Sequence, residues 1–175
     1  MILNYKMNRL NINYLLCLTI IIGSILRLYN LGSSSLWEDE ILSLNAAERI
    51  TSISSLFTAD PENAHPPFYF LLLKFWKIYG SSESYLRLLS VLFGTLSIYI
   101  GFLVAEIIST KKVAFISSLF LSISPFLIRF DREVRMYPLF LLLTLLTLYF
   151  LLIALKSNSK KHWLLFSFFG ILNLY

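Results

Sequence analysis

The chain has 175 residues, 57% of them hydrophobic and 14% charged, with a mean hydropathy of +0.72. A soluble domain carries roughly 45–50% apolar and about 25% charged residues, so a water-soluble fold is excluded and lipid is the solvent that accepts this many Leu, Ile and Phe side chains. The net charge of +5 falls in short basic clusters between apolar runs, which fits orientation in a bilayer and makes no continuous stripe for nucleic acid.

Lys6 and Arg9 precede an apolar run from Ile12 to about Leu31, interrupted only by Arg27 near its end. No small-x-small cleavage site closes the run, so it reads as a retained span over 12–31 and not a signal peptide. Cys17, the one cysteine, lies inside it, which rules out a disulfide framework and a cysteine metal site.

A long acidic loop, 32–87, follows. Ser35-Leu-Trp-Glu38 reads as a capping box in which Glu38 reaches back to Ser35. Trp37, Ile41 and Leu44 then share one helical face and Asp39 the opposite one. Asp39 and Glu40 have two readings. Carboxylates are favoured in a first helical turn by the helix dipole, and an acidic pair just beyond a span is also where a general base would stand.

His65 comes before Pro66-Pro67 and is either an interfacial polar group or a contact for phosphate, metal or acceptor. The apolar stretch from Pro67 to Tyr79 is too short to cross and carries Lys74 and Lys77, so it is predicted to lie along the interface.

The next spans are predicted over 88–108, 113–130 and 138–155. Leaving 67–79 out of the membrane places Lys6 and Arg9, Lys111 and Lys112, and Lys156, Lys160 and Lys161 all on the cytoplasmic side, as the positive-inside rule requires. The loop 32–87 and the loop around 131–137 then face outside.

The second of these packs Arg129, Asp131, Arg132, Glu133 and Arg135 between two spans. Arg129 and Asp131 can snorkel to the interface. Arg132, Glu133 and Arg135 suggest an anion site, for which phosphate suits Arg geometry. A fifth span, 163–175 onward, reads as cut short. The predicted fold is an all-α polytopic transmembrane bundle with interfacial helices in its first outer loop, the N-terminal part of a longer protein.

The ordered set Leu36-Trp37-Glu38-Asp39-Glu40, His65-Pro66-Pro67-Phe68-Tyr69, Leu86-Arg87-Leu88-Leu89-Ser90 with Gly94, and Ser124-Pro125 with Arg132-Glu133-Val134-Arg135-Met136-Tyr137 resembles the GT-C membrane glycosyltransferases. The resemblance is to the glycosyltransferase 39 type, relatives of the dolichyl-phosphate-mannose protein mannosyltransferases and of the aminoarabinose lipid A transferase. Such relatives often have Gln where this chain has Arg132.

The resemblance implies sugar transfer from a polyprenyl-phosphate carrier to a protein, lipid or glycan acceptor at the outer face of the plasma membrane, without a nucleotide. It implies Asp39 as general base with Glu40 as support, and Arg132, Arg135 and Lys74 toward the phosphate. His65, Glu133 and Tyr137 complete the implied substrate contacts. No metal site follows from the spacing, although some relatives use a divalent cation and Glu40, His65 and Glu133 could offer ligands. The alternatives are a transporter or flippase of lipid-linked sugars, in which charges line a pathway at mid-bilayer, or an inactive accessory subunit.

Overall fold

A computed structural model describes residues 2–56 and 66–174, with side chains placed for 12–52, 54–55 and 66–174. His65 lies outside the described residues. In chain order the helices are α1 (Ile2–Leu28), α2 (Glu38–Arg49), α3 (Ile53–Leu56), α4 (Pro67–Trp76), α5 (Glu83–Ile108), α6 (Lys111–Ile123), α7 (Pro125–Asp131), α8 (Tyr137–Ser157) and α9 (Lys160–Leu174), with a 3-10 turn at Lys77–Tyr79. No strand occurs among the described residues. The chain is an all-α membrane protein: α5 and α8 are each long and apolar enough to cross a bilayer, and α6 with α7 makes a third such length if the bent pair counts as one. Ile12–Leu28 of α1 is a shorter apolar helix.

Composition explains the long helices. α5 and α8 are runs of Leu, Ile and Phe without interior proline, and their ends carry stop signals. Ser82 caps α5 by accepting from the Tyr85 N–H. Asn158, in the left-handed region, ends α8. In the second half of α5 a Cβ on Gly101 would lie 2.3 Å from Leu121 Cδ1, so glycine there lets the Leu121 side chain of α6 pack directly on the α5 backbone.

The predicted span 113–130 is not one straight helix. It breaks by 56° between α6 and α7. Pro125 has no N–H and its ring crowds the preceding turn, while the Ser124 hydroxyl accepts from the Leu127 N–H and restarts the helix.

The stretch from Pro67 to Tyr79 folds as a short helix ending in a 3-10 turn. α4 has 10 residues, about 15 Å of helix against a hydrocarbon core of roughly 30 Å. It buries Tyr69, Phe70 and Leu73 against α2, α5 and α8, each worth about 1.5–3 kcal/mol relative to water. Trp76 stacks on Tyr85 at 4.9 Å and donates to its carbonyl oxygen. The helix is therefore fastened to α2 and α5 and does not rest on lipid alone.

The two ends of the bundle differ. At one end are the turns after α5 and α8, where Lys111 pairs with Glu106 and Lys156 donates to the Ile107 carbonyl. At the other, α2, α4, the start of α5 and the segment 132–136 meet over a core that includes Ala47, Phe70, Leu86 and Val134.

Candidate active site

The segment after α1 descends onto the bundle through one residue, Glu40, which is fully buried. Arg87, on the first turns of α5, donates to it twice, Nε to Oε1 at 2.8 Å and Nη2 to Oε2 at 2.7 Å. The paired bonds match the planar fork of the guanidinium. The remaining Arg87 donors go to the carbonyls of Leu31, Ser34 and Ser35 at 2.9–3.1 Å. All five N–H groups of Arg87 are thus used. Glu40 also accepts the backbone N–H of Val134 at 2.9 Å and of Trp37 at 3.2 Å. One carboxylate ties the loop after α1, α5 and the loop before α8 together.

The cap of α2 accordingly sits two residues later than Ser35-x-x-Glu38 suggests. Trp37 is the N-cap residue, the Glu40 N–H donates to the Trp37 carbonyl at 3.0 Å, and Glu40 performs the reach-back expected of Glu38. Glu38 is exposed. Burial of Ser43, Ala46 and Ala47 fixes this phase of the helix.

With Glu40 turned inward, Asp39 lies about 100° round α2, one turn before Ser43, and stays part exposed, at 38%. There it meets Arg135. Asp39 Oδ2 lies 3.8 Å from Arg135 Nη2, and Arg135 Nη1 donates to the Asp39 carbonyl at 3.1 Å. The Ser43 hydroxyl and the Tyr137 hydroxyl each accept from the same guanidinium at 3.4 Å, and its carbon stands 5.4 Å from the Tyr137 ring centroid. The Arg135 carbonyl in turn accepts from Ser90, whose hydroxyl is 3.4 Å from that of Tyr69. Burial pushes the Tyr69 phenol well above its ordinary range. Asp39, Arg135 and Tyr137 are brought together from positions up to 98 residues apart.

Arg132 and Glu133 turn to the other side of the Glu40 tie. They line a cavity of about 700 Å³ with Arg129, Trp37, Ser34 and the apolar wall of Leu26, Ile123, Pro125 and Ile128. Arg132 Nη2 donates to the Asn30 carbonyl at 3.3 Å, and Glu133 Oε1 is 3.7 Å from Arg129 Nε. Burial raises the Glu133 carboxyl above its usual range, with Arg129 opposing. The pairing of Arg132 with Arg135 around Glu133 is therefore replaced by two sites. A second cavity of about 250 Å³, apolar, opens beside Tyr137 between α4, α8 and α9, lined by Phe68, Met136, Phe140, Leu143 and Leu172 among others.

Lys74 and Lys77 do not reach either cluster. Lys74 donates to the Ile50 carbonyl at the end of α2, and Lys77 pairs with Glu48. They close the α2–α4 contact, and Lys77 holds the exposed Glu48 carboxyl below its usual range. Among the described residues no group of three His, Cys, Asp or Glu is placed to hold a metal ion.

The residues that sequence reasoning passed over are Arg87 as the partner of Glu40, and the pair Arg27 and Asp131. Asp131 does not snorkel. It is 2% exposed and accepts from Arg27 Nε at 2.7 Å, and Arg27 is itself 1% exposed. A lone charge in an apolar run, as Arg27 is, was the available signal, because such a charge must find a partner inside the bundle.

A family model described as dolichyl-phosphate-mannose-protein mannosyltransferase matches residues 64–172. That range contains Arg87, Asp131 and the segment 132–137, and begins after Asp39 and Glu40. No curated protein and no solved structure matches the chain.

Proposed function

Because the chain belongs to the dolichyl-phosphate-mannose-protein mannosyltransferase family, and is by that membership a membrane glycosyltransferase of the GT-C type, we propose that it transfers a sugar from a polyprenyl-phosphate carrier to a hydroxyl or amine acceptor at the outer face of the plasma membrane. The observation that carries this reading is the placement of Asp39 Oδ2 at 3.8 Å from Arg135 Nη2, with the Tyr137 hydroxyl on the same guanidinium. A base and an anion binder stand side by side at the loop end of the bundle.

In the proposed reaction the acceptor's O–H or N–H loses its proton to the Asp39 carboxylate as the oxygen or nitrogen attacks the anomeric carbon. The bond from that carbon to the phosphate oxygen breaks, and the polyprenyl phosphate leaves with the electron pair. Arg135 and Tyr137 stabilise the charge that grows on the phosphate, which is the chemistry a fixed cationic donor performs best in a site shielded from water. The apolar cavity beside Tyr137 runs along α8 and suits the first isoprene units of the carrier. Glu40 supports Asp39 indirectly, by holding the phase of α2.

The test is transfer from a polyprenyl-phosphate sugar by the full-length protein in membranes. Asp39→Asn is expected to lower turnover by about 10²–10⁴-fold, the usual contribution of a general base, with donor affinity nearly unchanged. Turnover like the wild type would remove Asp39 as the base. A transporter reading draws support from the bent α6–α7 pair, since broken helices mark transport sites. It accounts less well for the acids and bases at one end of the bundle.

A further inference from the structure

The break between α6 and α7 leaves backbone groups that must be satisfied. In a continuous helix the Leu121 carbonyl would accept from residue 125, which is proline and has no N–H. The Ser122 carbonyl would accept from residue 126, which now belongs to a helix turned by 56°. In an apolar surrounding, each unsatisfied carbonyl costs several kcal/mol.

Arg27 meets this need from another helix. Its Nη2 donates to the Leu121 carbonyl at 3.1 Å and its Nη1 to the Ser122 carbonyl at 2.9 Å, and Nη1 also donates to Gly23 on its own helix at 3.0 Å. The remaining direction, Nε, points to Asp131 Oδ2 at 2.7 Å. Asp131 is the last residue of α7, so a single guanidinium holds both sides of the break, the freed carbonyls before it and the end of the helix after it.

Two glycines make room. A Cβ on Gly23 would lie 2.6 Å from Ser122 Oγ, and one on Gly94 would lie 2.2 Å from Asp131 Cγ. The Ser122 hydroxyl completes the joint by donating to the Thr19 carbonyl at 2.9 Å. Charge, geometry and space all converge on one bend.

The bend matters because the segment 132–136 begins where α7 ends. Asp131 anchors its start, and four residues later Arg135 meets Asp39. We infer that Arg27 and Asp131 are positioning residues: the guanidinium caps the carbonyls that Pro125 leaves open, fixes the direction of α7, and thereby aims segment 132–136 so that Arg135 meets Asp39. Neither touches the proposed substrate. The catalytic consequence rests on the Asp39 and Arg135 reading above, whereas the direction of α7 does not.

The experiment separates the two. In the full-length protein with Cys17→Ala, spin labels on Asn45→Cys in α2 and Phe126→Cys in α7 report the direction of α7 without any substrate. Labels on Ile108→Cys and Leu155→Cys, at the opposite end of the bundle, are the control. Arg27→Lys keeps the charge but lacks the fork, and Asp131→Asn keeps the shape but not the charge. Both are expected to shift or broaden the 45–126 distance by several Å while the 108–155 distance stays as in the wild type. Gly94→Ala, which crowds Asp131 with both charges present, is expected to reproduce the shift. Transfer at saturating donor should fall by about 10²-fold, as a displacement near 1 Å at a reacting group can cause.

An unchanged 45–126 distance in Arg27→Lys and Asp131→Asn overturns the inference. So does a shift of the control pair along with it, which would make the ion pair a general fold support. A 45–126 shift with undiminished transfer upholds the positioning of α7 and refutes the catalytic reading of Asp39 and Arg135.

Discussion

Arg87 offers the sharpest perturbation of the site's framework. Replacing it with Met keeps much of its volume and removes five donors: two to Glu40 and three to the carbonyls of Leu31, Ser34 and Ser35. Glu40, with no exposure to solvent, would keep only the backbone N–H groups of Trp37 and Val134. Removing one partner of a buried pair leaves an uncompensated charge and costs about 3–5 kcal/mol. Exchanging both partners for apolar groups is often close to neutral, so Arg87→Met with Glu40→Leu should lose much less than the sum of the two single changes. What remains is the penalty on the loop carbonyls and on the Trp37 and Val134 N–H groups that Glu40 had accepted, about 1–3 kcal/mol for each that stays buried. The assay is denaturant-induced unfolding of the full-length protein in detergent, for the wild type, both single variants and the double variant. Strict additivity would refute the reasoning, because it would mean that the two side chains do not depend on each other. So would an Arg87→Met variant as stable as the wild type.

Three other outcomes are expected. Arg135→Lys keeps a positive charge but loses the fork that engages Asp39, Ser43 and Tyr137; donor affinity and turnover should both fall, and equality with wild type on both counts would show that charge alone suffices. Burial raises the Glu133 carboxyl, so the fold favours its protonated form: that contribution is present below the unfolded value near 4.5 and is lost as pH rises through the folded one. Unfolding free energy measured against pH should therefore decline more for the wild type than for Glu133→Gln across the acid-to-neutral range, and parallel curves would contradict the assignment. Cysteine at Ser33 should react with an impermeant maleimide from outside and cysteine at Thr110 should not, in a Cys17→Ala background; labelling at Thr110 from outside would reverse the proposed orientation.

Composition and pattern by themselves determined the class of this protein and much of its architecture. Apolar runs without interior proline dictate long helices in lipid, and the alternation of basic turns singled out Pro67 to Tyr79 as a segment expected not to cross; it folds as a 10-residue helix followed by a 3-10 turn. These features are local, set by the order of residues along the chain. Pro125 was equally visible, but a proline states only that one hydrogen bond is missing and not how far the helix turns or what fills the gap.

The division of labour among the charges was decided by tertiary structure. Asp39 and Glu40 are neighbours of like chemistry, and each residue along a helix turns the side chain by about 100°. Moving the cap by two residues therefore decides which carboxylate enters the core. That cap position is fixed by the burial of Ala46 and Ala47 and by an arginine 47 positions away. Arg132 and Arg135 likewise look like one cluster in the sequence, yet the Val134 N–H bound to Glu40 sends them to opposite sides. Arg27 and Asp131, 104 residues apart, become partners only because α1 crosses the end of α6 where proline has opened it. An ion pair in an apolar bundle is set by which helices meet, and that is a property of packing that no window along the sequence contains.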